Sequence, residues 1–256
     1  MTWRVARASV AGTAHQRKGG SCQDACQGGA WQRPDGEWVL ALFAADGAGS
    51  ANAAQAAAEL ACRHLCEQAQ AWATNEAAPH APLTPERLRE WVEGLRERLL
   101  TQAADSNQPP RDWACTLLGV VCTTSAVGYL QIGDGAIVAR RAEVNGVVYW
   151  PDVGEYANET FFVTDADSLE RLRVSVYTSL PQGLALVTDG LQRLALDYGT
   201  YQPHPGFFAP LFARLQAVST EDIPAFEHEL HGLLDSKAVN ERTDDDKTLV
   251  LALWGG

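Results

Sequence analysis

The stretch LALFAADGAGS, residues 40–50, bears on the fold and on the site at once. An apolar run of strand composition ends in Asp46, and only glycine, alanine and serine follow. A run of this kind, closed by turn residues, reads as a strand buried on both faces. A carboxylate in its last position stands where rigid sheet meets loop, the usual address of chemistry. The same punctuation recurs in QIGDGAI (131–137), with Asp134, and in LALVTDGL (184–191), with Asp189. Each Asp-Gly alone reads as a turn. Three of them suggest a site, and the run Asp244-Asp245-Asp246 before a final apolar strand and Asp24 in GGSCQDAC enlarge it.

Outward from residues 40–50 the chain alternates short β-rich runs with a few long helical ones. Strands are expected at 3–10, 38–45, 115–124, 127–133, 136–141, 146–150, 160–164, 174–178, 184–189 and 247–254, all rich in Val, Ile, Tyr, Trp and Thr. Pro34-Asp35-Gly36 marks a turn, and Asn145-Gly146 is a strong hairpin signal. A first helix is expected from Ser50, its N-cap, to Ala73, and a second from Thr84-Pro85, with Leu88, Trp91, Val92, Leu95 and Leu99 as its apolar stripe. A third covers 207–218 and a fourth roughly 221–234, with Phe226, Leu230 and Leu233 turned inward. Strands outnumber helices and are joined mostly by short turns. The expected class is therefore α+β: a β-sandwich of two antiparallel sheets flanked by helices, in one domain over 1–256.

Bulk properties narrow the function. Hydrophobic residues make up 46% and charged ones 20%, ordinary for a soluble globular protein. No window approaches the roughly 18–20 apolar residues of a membrane helix, and the N-terminus is a poor signal peptide, so a cytoplasmic location and no membrane partner are expected. A net charge of −12 argues against nucleic acid, which is held mainly by Lys and Arg. Six cysteines in pairs such as Cys22/Cys26 and Cys62/Cys66 lack the tight spacing of a zinc site and read as small buried thiols.

Several carboxylates drawn together repel one another and hold protons unless a cation intervenes. An all-oxygen set with few histidines favours Mg²⁺ or Mn²⁺ over zinc. Two such ions about 3.5–4 Å apart activate a water and clamp a phosphoryl group, which lets an acidic protein accept a phosphate dianion.

The pieces CQDA, FAADGAGS, QIGDGAI, LVTDGL and DDDKTLVLA, in this order and with a long helix after the second, resemble the metal-dependent protein phosphatase 2C class. The resemblance implies two antiparallel sheets with flanking helices and a two-metal Mn²⁺ or Mg²⁺ centre at one end. It implies that Asp46 bridges both ions, that Gly47 lends its carbonyl to one, and that Asp189 and Asp245 complete the ligand set of the second ion. Asp245 rather than Asp246 is implied because the family's Asp-Asn-x-Thr pattern falls on Asp245-Asp246-Lys247-Thr248. Asp24 would orient waters on the ions, and Asp134 would be structural. The implied reaction is direct attack of activated water on a phosphoserine or phosphothreonine of a protein substrate, and a cognate Ser/Thr kinase is the implied partner.

The chain departs from the family's pattern at three places. The position of a phosphate-gripping arginine holds Gly19, which leaves His15, Arg17 and Lys18 as candidates, His15 being equally readable as a structural histidine. Ala48 stands where some members have a histidine acid, and Arg193 stands where some have an aspartate for a third ion; Arg193 could instead bind an anion. Residues 143–173 occupy the place of the family's flap beside the site. Two rival readings stay open: a catalytically silent relative that binds a phosphorylated partner, and a phosphatase of small phosphoesters.

Overall fold

A computed structural model describes residues 3–78, 80–142, 144–152 and 160–255. Strand β1 (Trp3–Val10) leads through a short helix α1 (Thr13–Arg17) to β2 (Asp24–Gln32) and β3 (Trp38–Asp46). Two long helices follow, α2 (Ala54–Ala73) and α3 (Pro85–Asp105), and then β4 (Leu117–Cys122), β5 (Val127–Ile132), β6 (Ala136–Arg141) and β7 (Val144–Tyr149). After α4 (Ser168–Arg171) come β8 (Arg173–Tyr177) and β9 (Gly183–Val187), a one-turn 3₁₀ segment at Asp189–Leu191, and α5 (Gln192–Ala195). A small ribbon, β10 (Leu196–Asp197) with β11 (Gln202–Pro203), precedes α6 (Pro205–Ala217), α7 (Ile223–Leu234), α8 (Lys237–Asn240) and β12 (Lys247–Trp254).

The ten longer strands form two five-stranded sheets, ordered β1-β12-β9-β6-β7 and β2-β3-β4-β5-β8, antiparallel throughout. Strand β3 shows why its run is apolar without alternation. Leu40, Leu42 and Ala44 face the other sheet and meet Leu184, Leu186 and Val250. Val39, Ala41, Phe43 and Ala45 face outward, where α2 and α3 cover them with Leu65, Leu95 and Leu99. The other sheet is covered in the same way, Ala185, Val187, Leu249 and Leu251 meeting Phe208 and Phe212 of α6 and Phe226 and Leu230 of α7. Every central strand is thus buried twice, and the layers run helix, sheet, sheet, helix as expected.

Several local expectations are corrected. Strand β2 (DACQGGAWQ) was not expected, because two glycines and polar residues break any pattern; it exists by pairing along the whole of β3. Asn145-Gly146 lies inside β7, opposite Arg140 and Ala139, and the turn falls at Ala142 instead. Residues 160–164 form no strand but an irregular segment that turns from 163, with Phe162 N–H donating to Asp165 Oδ2 (2.7 Å). The first helix begins at Ala54 and not after Ser50. Here Asn52 donates to Asp112 Oδ2 (2.7 Å) and Ala53 N–H to the Asp112 carbonyl (2.9 Å), so a distant loop fixes the start. Thr84 does cap α3, accepting from Arg87 N–H (3.2 Å). On α7 the inward residue is Leu234, and Leu233 is exposed.

Candidate metal centre and its cavity

The antiparallel register of β2 on β3 sets Asp24 directly opposite Asp46, the first residue of one strand against the last of the other. Asp46 is pinned on both backbone sides by Thr116: its N–H donates to Thr116 Oγ1 (3.0 Å), and its carbonyl accepts from Thr116 N–H (2.8 Å). Asp24 Oδ2 accepts from Thr188 Oγ1 (2.7 Å), but Asp24 Oδ1, fully buried, has no donor. Thr188 in turn accepts from Thr248 N–H (2.9 Å), which ties β12 and the end of β9 to the same point.

Beside this pair opens a cavity of about 700 Å³, lined by Asp134, Asp189 and Asp245 and by the cations Arg193 and Arg242. Burial raises the Asp189 carboxyl to about 8, helped by the charges of Asp134 and Asp245. Asp24 is pushed up to about 6, again chiefly by burial. Burial and the nearby Asp24, Asp189 and Asp245 hold Asp46 well above the ordinary carboxylate range. An acid set of this kind, short of positive charge and with a donorless buried oxygen, is the electrostatic complement of a cation.

Glycine shapes the close approaches. A Cβ on Gly190 would stand 1.9 Å from the Asp246 carbonyl oxygen, and one on Gly47 would stand 2.4 Å from the Ala54 carbonyl oxygen. The loops bearing Asp189 and Asp46 therefore pack at distances that any side chain would forbid.

The consecutive Asp245 and Asp246 have opposite destinies. Asp245 lines the cavity. Asp246 is 2% exposed and turns inward, accepting from Gly12 N–H (2.6 Å) and Gln23 N–H (2.5 Å), with His15 Nδ1 2.9 Å away. His15 is thus engaged with Asp246 and does not line the cavity, and neither does Lys18, exposed at the end of α1. Of the four candidate substrate-binding residues, His15, Arg17, Lys18 and Arg193, only Arg193 lies there. Arg242 was missed in the sequence, where it stands two places before the acid run. Among the described residues neither arginine makes an ion pair. Asp134, expected to be structural, does accept from Thr160 Oγ1, yet it also faces the cavity.

Among the described residues, no three His, Cys, Asp or Glu side chains form a ready-made ligand cage. The donor set fits hard divalent ions all the same, since it consists of carboxylates and the buried Asp24 Oδ1 has no donor.

A two-sheet sandwich with helices on both faces and a carboxylate cluster at one end defines the class, and the chain belongs to the protein phosphatase 2C family, whose model matches residues 11–235. It is 38% identical over 255 residues to serine/threonine-protein phosphatase 3 of Escherichia coli K12, covering 99% of each chain. Solved structures of the same fold include the serine/threonine phosphatase Stp1 from Staphylococcus aureus (TM-score 0.62, 15% identity, 100% and 96% covered). Another is the catalytic domain of the phosphatase PstP in complex with two manganese ions (TM-score 0.63, 16% identity, 99% of each chain covered).

Proposed function

We propose that the protein is a metal-dependent serine/threonine phosphoprotein phosphatase, with 1–256 as one catalytic domain. The observation that carries this reading is that Asp189 and Asp245 line one cavity while Asp46, set opposite Asp24 at the strand ends, lies close enough to feel the charges of both. Family membership and the E. coli relative's name support the same reading.

Asp46, Asp189, Asp245 and the Gly47 carbonyl would hold two divalent ions, Mn²⁺ or Mg²⁺. Bound there, such ions supply activation of water and neutralisation of the phosphate's charge. Asp24, held by Thr188, orients the water that attacks. Arg193 and Arg242 draw the phosphate dianion to the open side of the cavity and take over the task of the arginine missing at Gly19. No side chain at Ala48 offers a proton to the leaving group, so the solvent supplies it. Thr160 of the segment 143–173 borders the cavity, in keeping with a flap; residues 143 and 153–159 of that segment lie outside the described ones.

Hydrolysis of an aryl phosphate with Mn²⁺ tests the proposal, with wild type set against Asp46→Ala and Asp189→Ala. Metal-dependent turnover that both variants lose by 10²-fold or more, on the order expected for metal catalysis, is the expected result. No wild-type turnover with either ion would sink the enzyme reading, and full activity in the variants would sink the ligand assignment. Turnover of phosphothreonine peptides then separates a protein substrate from a small phosphoester.

A further inference from the structure

Next to the acid cavity, α6, α7 and α8 leave a second depression of about 470 Å³. Its walls include Leu194, Phe207, Pro210, Leu230 and Leu233. Leu233 is 41% exposed, whereas Phe226, Leu230 and Leu234 on the same helix are buried. The inward position is filled by Leu234, so Leu233 contributes to the groove and not to the core. Charge is almost absent from the far wall, because Arg214 and Glu229 neutralise each other in a two-point pair (2.7 and 3.0 Å). Leu194 and Arg242 line both the groove and the acid cavity, so the two depressions adjoin across these side chains.

We propose that this groove seats an apolar side chain of the phosphoprotein substrate, a few residues along the chain from the phosphorylated Ser or Thr. The inference rests on the phosphatase reading above and names a determinant of its substrate class. A phosphate held in the acid cavity leaves the substrate backbone at the mouth, where Leu194 and Arg242 mark the way into the groove. An extended chain advances about 3.3 Å per residue, so the anchoring side chain falls close to the phosphorylated one. A charged anchor would lose its water and find Arg214 engaged by Glu229 and Arg242 taken up by the substrate phosphate, which disfavours Lys and Glu against Leu, Ile, Met or Phe. A small aryl phosphate ends within the acid cavity and is indifferent to the groove.

The test is a positional scan. Phosphothreonine peptides in an alanine–glycine host carry one leucine moved from about five residues before the phosphothreonine to about five after it. Values of kcat/KM are measured with Mn²⁺ beside para-nitrophenyl phosphate. Leucine at one or two neighbouring positions on one side should raise kcat/KM about 10-fold, as partial burial of one leucine allows. Glu or Lys there should not. Leu233→Glu should erase the preference while its aryl phosphate turnover and melting temperature match wild type. A leucine effect under about twofold at every position, with aryl phosphate turnover intact, overturns the groove and leaves the phosphatase reading standing. Absence of aryl phosphate turnover with either ion overturns both. A dimer in sedimentation that Leu233→Glu dissociates assigns the groove to a second copy of the chain and also overturns the proposal.

Discussion

Asp189→Asn removes one charge from the acid cluster at nearly constant volume, and its effect should change sign with metal. In the metal-free protein the Asp189 carboxyl is raised to about 8 by burial and by Asp134 and Asp245, against about 3.9 in the unfolded chain. The folded state therefore binds more protons than the unfolded state between these values, and stability falls as pH rises through that window. Between pH 4 and pH 7.5 this amounts to roughly 4–5 kcal/mol at 1.36 kcal/mol per pKa unit. If relaxation of the neighbouring acids returns half, the asparagine stabilises the metal-free fold by about 2 kcal/mol, or roughly 4–8 °C in Tm for a chain this long. Saturating Mn²⁺ should reverse the order, because ions that bind only the folded wild type stabilise it by mass action. The assay is thermal unfolding at pH 5 and pH 7.5, in EDTA and in Mn²⁺, for wild type and variant. A metal-free wild type that grows more stable from pH 5 to 7.5, or an asparagine variant that melts lower than wild type in EDTA, would refute the reasoning.

Other perturbations separate structure from chemistry. Asp246→Ala strands the buried amides of Gly12 and Gln23 and should lower stability by about 3 kcal/mol or more in urea unfolding, with metal present or absent. Gly190→Ala places a methyl 1.9 Å from the Asp246 carbonyl oxygen and should force that loop apart, weakening Mn²⁺ affinity measured by titration calorimetry about 10-fold or more through displaced ligands. Arg193→Ala and Arg242→Ala should each raise KM for aryl phosphate by about 3- to 10-fold while keeping Mn²⁺ affinity, as loss of an exposed charge contact to a dianion predicts. His15→Ala should leave that KM unchanged, since the ring is turned to Asp246.

Much of the fold was legible because its strands follow simple rules. Residues 3–10, 136–141 and 247–254 stand in the structure with the bounds their apolar runs suggest, and α3 starts at its Thr-Pro signal. Features decided by distant contacts were not legible. Strand β2 has no β-branched residue; Gly28 and Gly29 suit it because a Cβ at Gly28 would press on the Ala41 carbonyl oxygen at 2.8 Å. The Asn145-Gly146 turn signal loses to a register that seats Val147 and Val148 against two different cores. In the site, the acids at strand ends were visible as punctuation. What each acid of 244–246 faces depends on Gly12 and Gln23, more than two hundred residues upstream, and local pattern holds no trace of it. Arg242 escaped notice because a cation in a run of mixed charges reads as ordinary surface charge.

The placement of β12 between β1 and β9 has a consequence for how the protein is made. Strand β12, the most C-terminal of the described strands, occupies an interior lane of its sheet, and the loop before it brings Asp245 to the cavity and Asp246 to the amides of Gly12 and Gln23. A nascent chain short of residue 247 can build the β2-β3-β4-β5-β8 sheet but leaves β1 without its partner and β9 with an open edge. Maturation of the centre must then wait until translation has passed β12. A ribosome-bound or C-terminally clipped chain would expose that gap to chaperones and proteases while leaving Asp245 without the strand that holds it at the cavity.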